Sequence, residues 1–303
     1  MFKVFIVLIL LFLLLPSHSF AQEQGIRISP AFLDITLDPS QTKKDIPIEI
    51  ENLTSQPVQL SLSAIDFRQA NENGGIDFSG IDSQDYSYSL ASFISFESTS
   101  VTLQAGEKDT INVEVTNRAD LSPGGHYAAI VGQTTNVEEE GRSASVKPAV
   151  STLILLRKTG GEVFSISLLE TNWPKTFMLN FPNNQLKLLF QNEGNVHLIP
   201  YGTVSIKDIF GQEITRGSIN NASSIIFPEA RRWVDVKLAP FNYRIPVSFV
   251  TMEIKGRDSI DKTTFVYQQT ALLINPIMLT VLSMSLIGGF ILYRKKKKKN
   301  DKE

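Results

Sequence analysis

The chain has 303 residues, with 29 lysines and arginines against 31 aspartates and glutamates, and it contains no cysteine. The missing cysteine excludes disulfides, a thiol nucleophile and a lipid-modified N-terminal cysteine. Much of the basic charge lies in the C-terminal tail, so the region before the tail is acidic. An acidic exterior argues against a nucleic-acid partner.

The N-terminus has the layout of a secretory signal peptide. Lys3 precedes an unbroken apolar stretch over residues 4–15, which Pro16 ends. Ser19 and Ala21 then supply the small residues that signal peptidase requires. We therefore predict a signal peptide over residues 1–21, the alternative being an uncleaved anchor. An exported chain without cysteine indicates a bacterial protein.

The exported part is patterned as β-strands. Apolar and polar residues alternate over residues 46–51, 58–64 and 111–115, and clusters of Gly, Pro, Asn and Asp interrupt the pattern at short intervals. This pattern predicts an all-β fold with two immunoglobulin-like antiparallel β-sandwiches, at residues 22–158 and 162–268. Residues 158–161 form the predicted linker. In both halves an apolar strand ends in asparagine, at Asn52 and Asn192.

The C-terminus predicts a membrane anchor. Residues 271–293 are almost wholly apolar, long enough for one spanning helix. Asn275-Pro276, near the outer end of this apolar segment, marks a second possible start of the helix. The basic residues that follow place the tail, residues 294–303, in the cytoplasm and the N-terminal part outside a bacterial plasma membrane. These residues are Arg294, Lys295, Lys296, Lys297, Lys298 and Lys299.

A glycine-rich corner at residues 122–126 leads into a strand that begins near Tyr127. This is typical of a tyrosine corner, in which the hydroxyl bonds back to the corner backbone. We therefore predict a structural role for Tyr127.

The long polar segment over residues 71–88 is the best place to look for a ligand. Asp77, Asp82 and Asp85 are a candidate calcium set, although their spacing differs from an EF-hand; the alternative is a solvated loop without an ion. Tyr86 and Tyr88 alternate along a predicted strand, and their side chains either stack on a sugar or face the core.

An enzyme is not favoured. Outside the signal peptide the chain has two histidines, His126 and His197, each expected on the surface or in a turn. A serine triad would need one of them, and no phosphate-binding glycine loop or zinc motif is present. Trp173 and Trp233 are expected to pack rather than to bind carbohydrate. No cofactor is predicted.

The layout of signal peptide, two immunoglobulin-like domains, helix and basic tail resembles the WxL-interacting proteins of Gram-positive bacteria. The first domain is similar at residues 25–30, in the strand over residues 46–52 and at the corner over residues 123–127; the second at residues 192–197, 200–202 and 208–211. The resemblance implies a peptidoglycan-binding first domain and a second domain that engages proteins. Both domains are also similar to pilus-chaperone sandwiches.

The expected function is therefore non-catalytic: binding of cell-wall peptidoglycan, of another envelope protein, or of both, at the cell surface. The membrane lipid is a partner through the one helix. The alternative is an assembly factor that resembles a pilus chaperone and acts by strand addition. The strand predicted over residues 149–156 is the candidate for that pairing.

Overall fold

The computed structural model describes residues 25–78, 86–135, 149–179, 185–240 and 245–300, with side chains up to Lys297. The predicted signal peptide lies outside these ranges. Within them the chain is mostly β-strand and ends in one helix, which confirms the predicted fold class.

The described part of the N-terminal region contains eleven strands. In chain order they are β1 (Ile26–Ser29), β2 (Phe32–Leu37), β3 (Lys43–Asn52), β4 (Val58–Asp66), β5 (Arg68–Asn71), β6 (Gly74–Asp77), β7 (Ile94–Phe96), β8 (Ser100–Leu103), β9 (Lys108–Thr116), β10 (Gly124–Thr134) and β11 (Ala149–Lys158). A 3-10 turn, Ala91–Phe93, precedes β7.

These strands form two facing sheets, ordered β1-β3-β9-β7 and β2-β11-β10-β4-β8, which we call the N-terminal sandwich. Ile46 and Ile48 of β3 pack against Ile130 of β10 and Ile154 of β11 in one apolar core. The alternation in β3 thus buries one face of the strand, and each buried isoleucine contributes about 2 kcal/mol. β2 runs parallel to β11, so the sandwich is not purely antiparallel. β5 and β6 form a separate hairpin.

The second region contains eight strands. They are β12 (Ile166–Thr171), β13 (Phe177–Leu179), β14 (Gln185–Asn192), β15 (Pro200–Asp208), β16 (Glu213–Ile219), β17 (Arg231–Leu238), β18 (Val247–Asp258) and β19 (Thr264–Ile274).

All eight strands belong to one sheet, ordered β12-β14-β17-β16-β15-β18-β19-β13, which we call the C-terminal sheet. Phe190 of β14 and Met252 of β18, from opposite halves of the sheet, share one core. The sheet therefore closes on itself around that core, and strands β16 and β17, where it turns, are paired over only three residues. Trp173 is buried in the same core, as predicted.

The helix, α1 (Pro276–Asn300), begins directly after β19. The predicted start at residue 271 is wrong, because Ala271 and Leu273 point into the core of the C-terminal sheet. Asn275 is the N-cap: its Oδ1 accepts the backbone N–H of Met278 at 3.2 Å. Residues 276–297 are a candidate membrane span by length and composition, and the 18-residue apolar window within them has a mean hydropathy of 1.9. Arg294 and the lysines after it continue the helix.

Candidate functional site

Tyr127 lies at the junction between the N-terminal sandwich and the C-terminal sheet. Its side chain is fully buried, and its hydroxyl accepts the backbone N–H of His197 at 2.9 Å. The predicted bond back to the corner is therefore wrong. The hydroxyl passes so close to Gly125 that a Cβ there would overlap it. The Gly125 N–H instead donates to the Asn195 carbonyl at 2.7 Å, so the glycine corner docks on the second region.

His197 links this junction to β2. Its side chain is fully buried, and Nε2 lies 3.3 Å from Asp34 Oδ2. The contact with His197 lowers the pKa of Asp34, against the opposing effect of burial. Tyr127 and His197 thus form a buried polar contact at the junction, and Asp34 lies at its partly exposed side.

His126 is also buried. Its Nδ1 lies 2.9 Å from the Ser89 carbonyl and its Nε2 2.8 Å from the Ser122 carbonyl. Burial lowers the pKa of His126, although the two carbonyls oppose the shift. The expectation of surface histidines is wrong for both residues, because each ring is enclosed by backbone and side chains of the junction and corner.

Tyr86 and Tyr88 lie against the same junction. The Tyr86 hydroxyl donates to the Phe67 carbonyl at 3.2 Å, and the Tyr88 hydroxyl donates to Glu229 Oε1 at 3.0 Å. Burial and the bond to Glu229 raise the pKa of Tyr88 to about 12. The structure places both tyrosines against protein, where their rings pack on each other and the Tyr88 ring also packs on Tyr127. Their predicted stacking on a sugar stays a prediction without support from this arrangement.

The candidate calcium set is not assembled within the described residues. Asp77 Oδ2 accepts the Nε–H of Arg68 at 3.2 Å across the β5–β6 hairpin. Asp82 and Asp85 lie outside the described residues. The described ranges contain no group of three or more His, Asp or Glu side chains suited to a metal ion.

The β5–β6 hairpin itself was not predicted, although Asn73-Gly74 is a strong turn signal. It reaches across to β17, where the Trp233 N–H donates to the Glu72 carbonyl at 2.7 Å. Gln69 Nε2 donates to the Arg231 carbonyl at 2.6 Å. The hairpin and the glycine corner together hold the two regions against each other.

The N-terminal sandwich has an open cleft between the edges of its two sheets. β7 pairs with β9 only over residues 113–115, because the chain then crosses to the other sheet as β8. The edge of β9 over residues 109–112 therefore has β3 on one side and no described strand on the other. The cleft has a volume of about 290 Å³. Its lining comprises Glu97, Ser98, Ser100, Val101, Thr102, Asp109, Thr110, Ile111 and Asn112.

The chemistry of this cleft is polar. Asp109 and Glu97 supply exposed carboxylates, and the strand edge and the Ser and Thr hydroxyls supply both donors and acceptors. Asp109 Oδ1 accepts the Thr110 N–H at 2.8 Å, which fixes the carboxylate at the rim. Such a set binds hydroxyl, amide and ammonium groups. In the sequence only a run of small polar residues marks this cleft.

Strand β11, the candidate for strand addition, is enclosed over only part of its length. It pairs with β10 over residues 149–158 and with β2 over residues 153–158. Residues 149–152 have no described strand on the side of β2, so strand addition at β11 stays a prediction.

Comparison with solved structures finds pilus chaperones. The class 5 fimbriae chaperone CfaA is 12% identical and covers 81% of this chain and 99% of its own, with a TM-score of 0.44. The structure of the Salmonella enterica SafA pilin in complex with the SafB chaperone is 10% identical, with a TM-score of 0.40. The match covers 81% of this chain and 96% of the other chain. At these identities the likeness concerns the fold alone. No curated protein matches the chain.

A family match covers the N-terminal sandwich up to the middle of β10. Residues 19–131 match the family described as WxL Interacting Protein, peptidoglycan binding domain. The matched residues include every residue that lines the open cleft. The predicted resemblance to the second domain of these proteins stays a prediction. For the first domain, the predicted resemblance to the WxL-interacting proteins is confirmed.

Proposed function

We propose that this protein is a non-catalytic, membrane-anchored surface protein that binds peptidoglycan in the cleft between β8 and β9. The observation that carries the proposal is that this polar cleft lies wholly within the residues that match a peptidoglycan-binding domain. A cell-surface binding protein is the function that the family match supports.

The cleft suits both parts of peptidoglycan. Its hydroxyls and the Asn112 amide complement sugar hydroxyls and N-acetyl groups. The open edge of β9 complements the amides of a stem peptide laid alongside it. The carboxylates of Glu97 and Asp109 attract an ammonium group of a diamino acid in that peptide.

A binding role is also supported by the histidines. General base catalysis requires a ring nitrogen within reach of a bound substrate. Both ring nitrogens of His126 face backbone carbonyls, and His197 is fully buried at the junction. Neither faces the cleft.

The helix supplies the anchor in this proposal. Helix α1 crosses the plasma membrane, and its basic C-terminal end lies in the cytoplasm because positive charge is retained on that side. Both β regions then lie outside, where peptidoglycan is found.

The test is co-sedimentation of the full-length protein, in detergent, with purified peptidoglycan sacculi. Thr110→Trp fills the cleft from an exposed position on β9, whereas Ser63→Trp adds the same side chain at an exposed position on β4. We expect wild type and Ser63→Trp to sediment with sacculi and Thr110→Trp to be lost from the pellet by tenfold or more. Equal thermal unfolding of the two variants is the control. Retention of Thr110→Trp would contradict the cleft as the site, and no retention of wild type would contradict peptidoglycan binding.

Strand addition is the second candidate, and β9 is a further edge for it besides residues 149–152 of β11. The observation that favours it is the same open edge over residues 109–112. The strand-addition hypothesis predicts that the protein forms a stable complex with one envelope protein and that this complex persists in the absence of sacculi. In that complex, slowed amide hydrogen exchange at Thr110 and Asn112 would distinguish edge pairing from side-chain contact.

A further inference from the structure

A large apolar patch lies on the outward face of the C-terminal sheet, at the end where α1 begins. It is built by three neighbouring strands, β18, β19 and β13, in two cross-strand rows. Phe249, Leu272 and Phe177 form one row, and Val247, Ile274 and Leu179 form the row closest to the helix. The four residues on β18 and β13 are between 45% and 63% exposed.

The turn between β15 and β16 extends this patch. Phe210 is 79% exposed and Ile209 is 59% exposed. The turn is held rigidly, because Asp208 Oδ1 accepts the N–H groups of Phe210 and Gln212, both at 2.9 Å. Asp208 pairs with Val250 on β18, so the turn projects at the same end of the sheet as Phe249 and Val247.

The outward face becomes polar immediately beyond these rows. Thr251 and Thr270 form the next outward row and share a hydrogen bond of 2.9 Å between their hydroxyls. Beyond them Glu253 is paired with Lys207 and Lys255. The apolar part is therefore a band of two rows, about 7 Å deep at the usual rise of a strand, and it lies at the helix end only.

We propose that this patch, residues 177, 179, 209, 210, 247 and 249, rests in the interfacial region of the outer leaflet. The inference depends on the proposed membrane anchor, because it takes α1 as the spanning segment. Asn275 alone separates the last residue of β19 from the first residue of α1. The patch is thus tied to the point where the chain enters the bilayer.

The position of the patch beside α1 favours the bilayer as its contact. An amphipathic surface typically enters the boundary between headgroups and acyl chains by about 5–10 Å, which matches the depth of the band. Exposed contiguous apolar patches mark protein or membrane contacts, and only the membrane is brought to this one by the chain itself. Resting on the bilayer fixes the tilt of the C-terminal sheet. Through the junction at Tyr127 and His197 it also fixes the direction in which the cleft faces the wall.

The chain is suited to a labelling test because it has no native cysteine. Full-length protein is reconstituted into phosphatidylglycerol vesicles after attachment of one environment-sensitive fluorophore to a single introduced cysteine. Gln212→Cys lies beside the patch, Ser259→Cys lies at the opposite end of β18, and Met284→Cys lies within α1. Lipids that carry a nitroxide near the headgroup or deep in the acyl chain serve as quenchers.

We expect the label at residue 284 to be quenched by the deep nitroxide. The label at residue 212 should be quenched several-fold more by the shallow nitroxide than the label at residue 259. Adding Phe210→Ser and Phe249→Ser to Gln212→Cys should remove this difference, whereas Phe32→Ser, at an exposed phenylalanine of the N-terminal sandwich, should not.

The two proposals fail in different ways. Equal quenching at residues 212 and 259, with residue 284 still quenched, would overturn the membrane contact and leave the anchor intact. Absence of deep quenching at residue 284 would overturn the anchor. Quenching at residue 212 that survives both serine substitutions would also overturn the inference, because the patch would then not be its cause.

Discussion

The N-terminal sandwich and the C-terminal sheet share one local feature, a buried asparagine at the end of a strand, but differ in how their strands are arranged in sheets. Asn52 ends β3 and Asn192 ends β14, and both are fully buried. Asn52 Nδ2 donates to the Gln56 carbonyl and its Oδ1 accepts the Thr54 N–H. Asn192 does the same with the Val196 carbonyl and the Gly194 N–H. The two corners therefore follow one pattern.

What differs is which part of each sheet is left without a partner. In the N-terminal sandwich the chain crosses between two sheets after β7, and a strand edge with polar side chains is left open. In the C-terminal sheet the eight described strands form one continuous hydrogen-bonded sheet, and its outward face beside α1 is apolar. An open edge suits a ligand with its own hydrogen-bonding groups, whereas an apolar face suits lipid. Similar corners thus do not imply similar binding.

The largest expected effect is the loss of the Asn192 corner. Asn192→Ala removes the partner of the Val196 carbonyl and of the Gly194 N–H in a buried site, and one of the two donors to the Ile226 carbonyl. We expect the free energy of unfolding of the C-terminal sheet to fall by about 3 kcal/mol. Urea denaturation followed by Trp173 fluorescence measures it. Asn71→Ala removes an exposed turn bond of the same kind and should cost less than about 0.5 kcal/mol.

Asn52→Ala should have a smaller effect, about 2 kcal/mol, because two of its three carbonyl partners lie at partly exposed positions where water replaces the amide. Hydrogen exchange of the β3 and β9 amides in the same denaturation series localises the loss to the N-terminal sandwich. If Asn52→Ala cost as much as Asn192→Ala, the difference in burial between the two corners would not control their strength.

The junction gives the next effect. Tyr127→Phe leaves the buried N–H of His197 without its acceptor, and we expect a loss of about 1.5 kcal/mol. The matched control is Tyr88→Phe, whose bond to Glu229 is exposed and should cost about 0.5 kcal/mol. Faster hydrogen exchange at the His197 amide in Tyr127→Phe alone would confirm that the hydroxyl joins the two regions. Equal costs for both variants would contradict it.

The sequence predicted what depends on neighbours in the chain. Alternation located β3, β4 and β9, because one buried face forces a period of two. It failed at β19, where residues 271–274 are apolar on both faces of the strand and only Asn275 separates them from the helix. It also failed at Tyr127, since the partner His197 lies far away in sequence. The cleft escaped prediction because it depends on where β7 stops pairing with β9.

The smallest effect comes from Glu253, above the apolar patch. Its hydrogen bonds with Lys207 and Lys255 lower its pKa from 4.5 to about 2. Because the folded pKa lies below the unfolded one, the carboxylate stabilises the protein above pH 4.5, and this contribution falls as the pH drops towards 2. Urea denaturation at several pH values should therefore show a gap between wild type and Glu253→Gln that narrows over this window. The stability difference between wild type and Asp34→Asn, at the junction, should likewise narrow at acidic pH, because the hydrogen bond with His197 lowers the pKa of Asp34 as well. A gap that stays constant from pH 6 to 2 in Glu253→Gln would mean that the lysines do not stabilise the charged form of Glu253, and that the polar row bounding the patch is held by packing alone.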